Sequence, residues 1–210
     1  MAQPYPQPCD RGVIVTQPCP RALDREPEAA TKRWTLIACV LASALALIDG
    51  SALTVALPAL ARDFDVPLNG LHWVINGYVL ALASMTLAGG ALADARGRRR
   101  TLIAGCVLFG LTSAACALAP SLAWLIGARV LQGVAAAIVT PASLALIGEV
   151  FPKEERNRAI GTWAAASALT TAAGPALGGW LTDTLGWAAV FWINPPLALL
   201  AIGILIRFGS

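Results

Sequence analysis

Two charged side chains, Asp49 and Arg129, lie inside long apolar stretches of this 210-residue sequence. Asp49 interrupts ALALIDGSALTVALPAL, residues 44 to 60, and Arg129 interrupts IGARVLQGVAAA. A charge at the centre of a membrane helix costs at least about 2.5–3.5 kcal/mol, so such residues usually face a cavity or a partner. Hydrocarbon surroundings favour the neutral form of an acid, whereas a nearby guanidinium favours its ionised form. A carboxyl group held between these opposing effects is suited to taking up and releasing a proton.

The two side chains are predicted to lie at similar depth in the membrane. At about 1.5 Å per residue, Asp49 is roughly 16 Å from Leu60 at the end of its span, and Arg129 is roughly 12 Å from Ser121 at the start of its span. They therefore face each other across a cavity or interact through water. The alternative is a static buried ion pair that only fixes the register of two helices.

The elements that carry these residues are predicted membrane helices. Hydrophobic residues make up 57% of the sequence and charged residues only 13%, whereas soluble domains carry about 25% charged residues. Several apolar runs reach the ~20 residues that cross a ~30 Å hydrocarbon layer, and backbone groups in lipid must be bonded within their own segment. We predict a disordered cytoplasmic tail over residues 1–33 and a six-helix transmembrane domain over 34–207. Its spans lie near 34–60, 71–93, 101–118, 122–148, 159–181 and 188–206.

Basic residues are distributed unequally between alternate loops. They occur at Lys32 and Arg33 before the first span, within 96–100 after the second and within 153–158 after the fourth, whereas the opposite loops hold only Arg62. Because Lys and Arg are enriched in cytoplasmic loops, this pattern predicts a multi-pass protein of the inner or plasma membrane with both termini cytoplasmic. Aromatic residues are not interleaved with the basic ones, so nucleic acid is not expected as a partner.

A ten-residue pattern occurs twice in the sequence. GGALADARGR at 89–98 and GGWLTDTLGW at 178–187 share the pattern GGxLxDxxGx and end the second and fifth spans. Three helices separate the two copies, so they face opposite sides of the membrane. This placement predicts an inverted three-plus-three repeat, an arrangement common in secondary transporters.

The first copy of this pattern runs into an arginine-rich turn. We expect the small Gly90 to let helices approach closely, Asp94 to end the span and Gly97 to permit the tight turn. The arginines that follow, Arg98 and Arg99 among them, would anchor the loop at an anionic membrane surface. A plain positive-inside anchor would explain the arginines but not the spacing of the glycines and the aspartate.

The fifth span contains a second motif with a physical interpretation. Gly174 and Gly178 are small residues four positions apart, which permits close helix packing in lipid. Pro175 removes a backbone hydrogen bond and is suited to a kink or hinge. Together with Gly179, these residues form a candidate hinge and packing motif, and the alternative is a packing face alone.

These stretches resemble motifs of the major facilitator superfamily. GALADARGRRR is similar to the loop motif after that family's second helix, and RVLQGVAAA is similar to its fourth-helix motif. LIDGSALTVALPAL and GTWAAASALTTAAGPALGG resemble first- and fifth-helix signatures of drug:proton antiporters of the fourteen-span efflux branch, although Ala95 and Thr170 depart from the usual residues. The resemblance implies an all-α membrane protein: a six-transmembrane-helix bundle that is the N-terminal half of the family's fold.

The resemblance also implies a function. The chain would be a transmembrane transporter, or a truncated half of one, that exports small drug-like compounds in exchange for protons. Asp49 and Arg129 would couple transport to protons, and Asn76, Tyr78 and Gln132 would contribute to the substrate cavity. The expected partners are protons, a small-molecule substrate, the lipid bilayer, and a missing C-terminal half or a second copy. The alternative is a non-transporting membrane assembly partner or an inactive fragment.

An intramembrane enzyme fits the sequence poorly. The single histidine, His72, lies at the mouth of a span, and Asp49 has no second acid at its level. The cysteines lack the spacings of metal sites, so neither a metal nor a cofactor is expected. Cys9 and Cys19 occur in the similar stretches QPCDR and QPCPR, which we interpret as an accident of composition.

Overall fold

The structure, a computed structural model, describes residues 29–208. Within that range, the secondary structure consists of helices and their connecting turns, without strands. The predicted tail therefore falls largely outside the described residues, as do Cys9 and Cys19. Its last part, 29–33, is instead the start of the first helix. The helices are α1 (Ala29–Asp63), α2 (His72–Arg96), α3 (Arg98–Ala117), α4 (Leu122–Val150), α5 (Lys153–Leu185), α6 (Ala188–Trp192) and α7 (Asn194–Phe208), with a short 3-10 helix at Leu68–Leu71.

Within the described range, five helical segments are long and apolar enough to cross a membrane, so the chain is a multi-pass membrane protein. Helix α5 is 33 residues long but is not one of the five. Glycine, serine and threonine dilute its apolar stretch, which explains its lower hydropathy. The five segments are Ala29–Asp63, Leu68–Arg96, Arg98–Ala117, Leu122–Val150 and Ala188–Phe208.

The basic ends of the helices come together on one side of the bundle. Lys32 Nζ lies 3.1 Å from Glu155 Oε2, which joins the start of α1 to the start of α5. Arg99 Nε donates to the carbonyl oxygen of Leu205 at 2.9 Å, which joins the start of α3 to the end of α7. We call this side the basic face. The sequence-based alternation of basic loops therefore corresponds to a real grouping of helix ends.

The inverted repeat is present in the packing of the helices. Helix α2 packs mainly on α4, and its counterpart α5 packs mainly on α1. Gly89 and Gly178 are equivalent in the repeat, and both lie where these helix pairs approach most closely. A Cβ on Gly89 would lie 2.2 Å from the carbonyl oxygen of Ala137, and one on Gly178 would lie 2.7 Å from the Cα of Ala52. Neither position has room for a side chain.

The repeat also extends to the turns that follow these helices. Gly97 ends α2 with φ +92°, and its equivalent Gly186 ends α5 with φ +85°. This is the left-handed region, which glycine adopts without the steric cost that a Cβ imposes. The positive φ of Gly97 is what a tight turn at this position requires, and the same requirement explains the glycine in the second copy.

The close approach of two helices that we expected at Gly90 occurs at its neighbour Gly89 instead. A Cβ on Gly90 would lie 3.8 Å from the Cβ of Pro141, which is an ordinary van der Waals distance. The prediction for Gly90 is therefore wrong, because Gly89 is the residue of the pair that faces the α4 backbone. Gly179 behaves like Gly90: its added Cβ would meet Val55 at 3.5 Å.

The last predicted span is divided at Ile193 into α6 and α7. Pro195 has no N–H to donate to the carbonyl oxygen of Phe191, four residues earlier, so the helical hydrogen bond is lost there. Ser113 Oγ from α3 donates to that carbonyl instead, at 2.8 Å. The break leaves no unsatisfied carbonyl at Phe191, and it places Asn194 at the beginning of α7 in the centre of the bundle.

The apolar core consists of two clusters, one towards the basic face and one towards the opposite side. Along α1, Ala46 belongs to the first cluster and Ala52 to the second, and Asp49 lies between them. Arg129 occupies the same layer on α4. The buried ion pair thus occupies a central layer between the two apolar clusters.

Candidate functional site

Asp49 and Arg129 form a buried ion pair in the central layer. The exposed fraction is 0% for Asp49 and 1% for Arg129. Arg129 Nη1 donates to Asp49 Oδ2, so the two side chains predicted to lie at matching depth are in direct contact. The contact joins α1 to α4, which are equivalent helices of the inverted repeat.

Two amides complete the surroundings of the carboxylate. Gln132 Nε2 donates to Asp49 Oδ1 at 2.9 Å, and Asn194 Nδ2 donates to the same oxygen at 3.0 Å. Gln132 is three residues after Arg129 and therefore on the same face of α4. Its Oε1 accepts from Arg129 Nη1 at 2.8 Å. One glutamine thus binds both members of the ion pair.

The guanidinium of Arg129 has further partners on α2 and α6. Its Nε donates to the carbonyl oxygen of Val74 at 3.1 Å. Its Cζ lies 4.1 Å from the centroid of the Tyr78 ring and 5.8 Å from that of Phe191. Both distances are within the range of cation–π attraction, which is strongest for desolvated cations. Arg129 is therefore held by a carboxylate, an amide, a carbonyl and two aromatic rings.

Asn194 and Ser113 belong to this site, although the sequence analysis did not predict them. Asn194 Nδ2 also lies 2.9 Å from Ser113 Oγ, and Asn194 Oδ1 is buried without a hydrogen-bond partner. The available signal was a lone amide in an apolar run directly before two prolines. Cys116 is also buried, and it donates from Sγ to Gln132 Oε1 at 3.4 Å.

A cavity of about 530 Å³ lies beside the ion pair. Of the residues predicted for a substrate cavity, Tyr78 lines it, and its ring separates the cavity from Arg129. Gln132 is fully buried against Asp49, and Asn76 is exposed on α2 outside the cavity wall. Neither residue lines this cavity, and their assignment to a substrate cavity stays a prediction. The cavity is lined by Ala46, Leu47, Gly50, Ser51, Tyr78, Leu82, Thr86, Thr140 and Thr171.

The motif in the fifth predicted span lies against the same region. A Cβ on Gly174 would lie 1.8 Å from the Oγ of Ser51, a residue of the cavity wall. At Gly174 and Gly178, α5 packs on α1 too closely for a side chain. Pro175 lies inside α5, which continues as one helix through it. Its action as a hinge stays a prediction.

The arginine-rich turn is bonded to the neighbouring helices. Arg98 lies 3.5 Å from Asp94 and 3.5 Å from Glu149 at the end of α4, and it donates to the carbonyl of Ala145 at 3.2 Å. Arg99 donates from Nη2 to the carbonyl of Ile206 at 3.1 Å, besides its bond to α7 described above. Cations at the C-terminal ends of helices complement the helix dipole. The turn thus holds α2, α3, α4 and α7 together on the basic face.

Comparison with known proteins gives consistent results. The family model described as Major Facilitator Superfamily matches residues 39–209. Multidrug resistance protein Stp of Mycobacterium tuberculosis (strain ATCC 25618 / H37Rv) is 43% identical over 173 residues, which are 82% of this chain and 32% of that protein. The tetracenomycin C resistance and export protein of Streptomyces glaucescens is 39% identical over 168 residues, which are 80% of this chain and 31% of that protein.

The fold has counterparts among solved structures. The proton:xylose symporter XylE, bound to 6-bromo-6-deoxy-D-glucose, superposes with a TM-score of 0.74 at 16% identity, covering 85% of this chain and 45% of that protein. This similarity concerns the fold alone. The chain spans about a third of the length of the curated relatives it matches. With the family model covering most of its residues, the chain belongs to the major facilitator superfamily.

Proposed function

We propose that this chain provides the N-terminal six-helix half of a proton-coupled exporter of small drug-like compounds. The transporter would lie in the inner or plasma membrane with the basic face towards the cytoplasm, as expected from the positive-inside rule. The single observation that carries the proposal is the Asp49 carboxyl group, fully buried at mid-membrane depth and bonded to Arg129. Ionisable residues in such positions commonly serve in ion pathways or proton relays.

The proton-coupling step follows from the partners of Asp49. In the geometry described above, the carboxylate accepts hydrogen bonds from Arg129, Gln132 and Asn194. Proton uptake neutralises the carboxylate and removes the Coulomb attraction that holds Arg129 to α1. Arg129 then retains its bonds to Gln132 and to the carbonyl of Val74, both outside α1. Protonation thus loosens the contact between α1 and α4, and deprotonation restores it.

Tyr78 connects this step to the substrate cavity. One side of its ring faces the guanidinium and another part contributes to the cavity wall. Its hydroxyl donates to the carbonyl of Ala46, a second wall residue, at 3.2 Å. A displacement of Arg129 therefore changes the shape of the cavity. Binding of substrate and of the proton would be coupled through this ring, with a typical coupling of about 1–3 kcal/mol.

The cavity wall supports a particular substrate class. Its side chains are aliphatic groups, one aromatic ring and the hydroxyls of serine and threonine residues. Such a wall suits apolar or amphipathic compounds that are recognised by area and by a few hydrogen bonds. The relatives named for multidrug resistance and for tetracenomycin C export support an exported compound of this kind. The other half of the cavity would come from a C-terminal half or a second copy.

Transport of a fluorescent amphipathic dye tests the proposal. The 210-residue chain is reconstituted into liposomes, and dye movement is measured with and without an imposed pH gradient. We expect gradient-dependent movement that Asp49→Asn abolishes and that Asp183→Asn, the same change at an exposed acid, leaves intact. Unchanged movement in Asp49→Asn would contradict the proposal. No gradient-dependent movement in the unmodified chain would mean either that transport requires the other half of the cavity or that the chain is a membrane assembly partner.

A further inference from the structure

The four arginines at the end of α2 and the start of α3 divide into two pairs with different surroundings. Arg98 and Arg99 are bonded to neighbouring helices as described above. Arg96 and Arg100 are exposed, and within residues 29–208 neither guanidinium has a hydrogen bond or ion pair. Asp94 and Glu149, which line a neighbouring cavity together with Arg96 and Arg100, both pair with Arg98.

Arg96 and Arg100 stand at the mouth of an apolar groove of about 570 Å³. The groove runs along the outside of the bundle between α2 and α3, with Ile138 of α4 as its floor. Both helices pack on α4 rather than on each other: Gly89 of α2 contacts it as described above. A Cβ on Gly105 of α3 would lie 2.9 Å from a methyl group of Val139. The groove is lined by Leu92, Ala95, Arg96, Arg100, Thr101, Ala104, Leu108 and Ile138.

We propose that this groove binds an anionic phospholipid of the leaflet at the basic face. The phosphate group would lie between the guanidinium groups of Arg96 and Arg100, and one acyl chain would lie along the apolar wall. Charge complementarity argues for this occupant: two unpaired cations stand at the level of the headgroups, and aliphatic side chains continue from them towards the hydrocarbon. Juxtamembrane Lys and Arg attract anionic lipids by about 1 kcal/mol each. The inference does not depend on proton coupling.

The simplest alternative is a surface that attracts anions by charge alone, and the apolar wall of the groove argues against it. An anion without an acyl chain would gain the two guanidinium contacts but would leave Leu92, Leu108 and Ile138 uncovered. Each CH₂ of an acyl chain that is buried against this wall strengthens the binding further. The hydroxyl of Thr101 is not expected to donate to the phosphate, because it already donates to the carbonyl of Leu92 at 3.4 Å. Tight binding therefore needs headgroup and chain together.

A lipid titration of the purified 210-residue chain in detergent tests the proposal. The probes are short-chain phosphatidylglycerol, the zwitterionic phosphatidylcholine of the same chain length, and glycerol phosphate as a headgroup alone. The variant Arg96→Gln/Arg100→Gln should raise the apparent Kd for phosphatidylglycerol about 30-fold, or about fivefold per arginine. Its binding of phosphatidylcholine should not change. Ala104→Trp, which fills the groove and keeps both charges, should weaken the binding of phosphatidylglycerol but not the binding of glycerol phosphate.

The matched control is Lys153→Gln/Arg158→Gln, which removes two exposed charges at the start of α5. It should leave the apparent Kd for phosphatidylglycerol within about fivefold of the unmodified value. Equal losses in the two double variants would mean a non-specific charge effect and would overturn the proposal. The proposal would also be overturned if glycerol phosphate bound as tightly as the lipid. A native mass spectrum in which substitution of Arg96 and Arg100 removes a bound second copy of the chain, rather than bound lipid, would overturn it as well.

Discussion

The Nδ2 atom of Asn194 lies 3.0 Å from Oδ1 of Asp49, although 145 residues separate the two in the sequence. This bond joins the first helix of the bundle to the last at the level of the ion pair. Asn194 is available for it because the prolines that follow interrupt the last span. The helix break that removes a backbone hydrogen bond from the last span thus completes the central polar layer.

Removing the Asn194 amide should destabilise the bundle. Asn194→Ala loses the bonds to Asp49 and Ser113, and a buried polar group left unsatisfied costs about 1–3 kcal/mol. We expect a decrease of that size in the free energy of unfolding, measured by denaturant titration in mixed micelles. The matched control Asn76→Ala removes an exposed amide and should change stability by less than about 0.5 kcal/mol. Equal effects of the two substitutions would mean that the hydrogen bonds of Asn194 do not stabilise the bundle.

The two members of the ion pair should tolerate loss of the partner unequally. Asp49→Leu leaves a buried guanidinium that cannot lose its charge, at a cost of about 3–5 kcal/mol. Arg129→Leu leaves a carboxyl group that becomes neutral by binding a proton, and it keeps the bonds from Gln132 and Asn194. We therefore expect the first substitution to lower the free energy of unfolding more than the second.

A double-mutant cycle on the same pair measures its coupling. Asp49→Leu/Arg129→Leu removes both charges together, so it should cost less than the sum of the single changes by about 0.5–3 kcal/mol. The measurement is again the free energy of unfolding in micelles. Additive effects would mean that Asp49 and Arg129 are stabilised independently of each other.

The glycines of the repeat provide two matched pairs for a packing test. Gly89→Ala and Gly178→Ala insert a Cβ against neighbouring backbone, and such overpacking typically costs about 1–3 kcal/mol. Gly90→Ala and Gly179→Ala place the same methyl group at ordinary distances, where alanine is favoured in a helix over glycine by up to about 1 kcal/mol. Thermal unfolding should therefore show lower Tm for the first pair and unchanged or higher Tm for the second. The same Tm for both pairs would contradict the packing described here.

Tyr78 can be separated into a ring and a hydroxyl by two substitutions. Tyr78→Phe keeps the ring over Arg129 and loses only the bond to the carbonyl of Ala46, which should cost about 0.5–1.5 kcal/mol. Tyr78→Ala also loses the ring, and truncation of a buried aromatic costs about 3–5 kcal/mol. In the dye assay, the phenylalanine variant should retain gradient dependence and the alanine variant should lose it. Retained gradient dependence in Tyr78→Ala would exclude the ring as the connection between cavity and ion pair.

Much of the fold is predictable from the sequence, because lipid restricts both helix length and the position of charge. The helices lie within a few residues of the predicted spans, and Asp49 meets Arg129, the other charged side chain that is fully buried within residues 29–208. The repeat was predictable for a similar reason, since Gly97 and Gly186 serve the same backbone turn.

The remaining features depend on tertiary contacts that periodicity does not contain. Gly89 and Gly90 are identical neighbours in the sequence, and only the orientation of α2 on α4 decides which of them is the packing glycine. Gln132 was assigned to the cavity because it is polar within a span, but its amide is occupied by the ion pair. The position of Asn194 depends on the helix break at Ile193. At that break, the hydroxyl of Ser113 from a distant helix donates to the carbonyl of Phe191 in place of the missing backbone N–H.

Infrared difference spectroscopy of the reconstituted chain between acid and alkaline pH tests the central claim most directly, because the C=O stretching band of a protonated carboxyl group reports proton uptake itself. We predict a band that appears reversibly on acidification, is absent in Asp49→Asn, and persists in Asp183→Asn. A band that is identical in the unmodified chain and in Asp49→Asn would contradict proton binding at this residue.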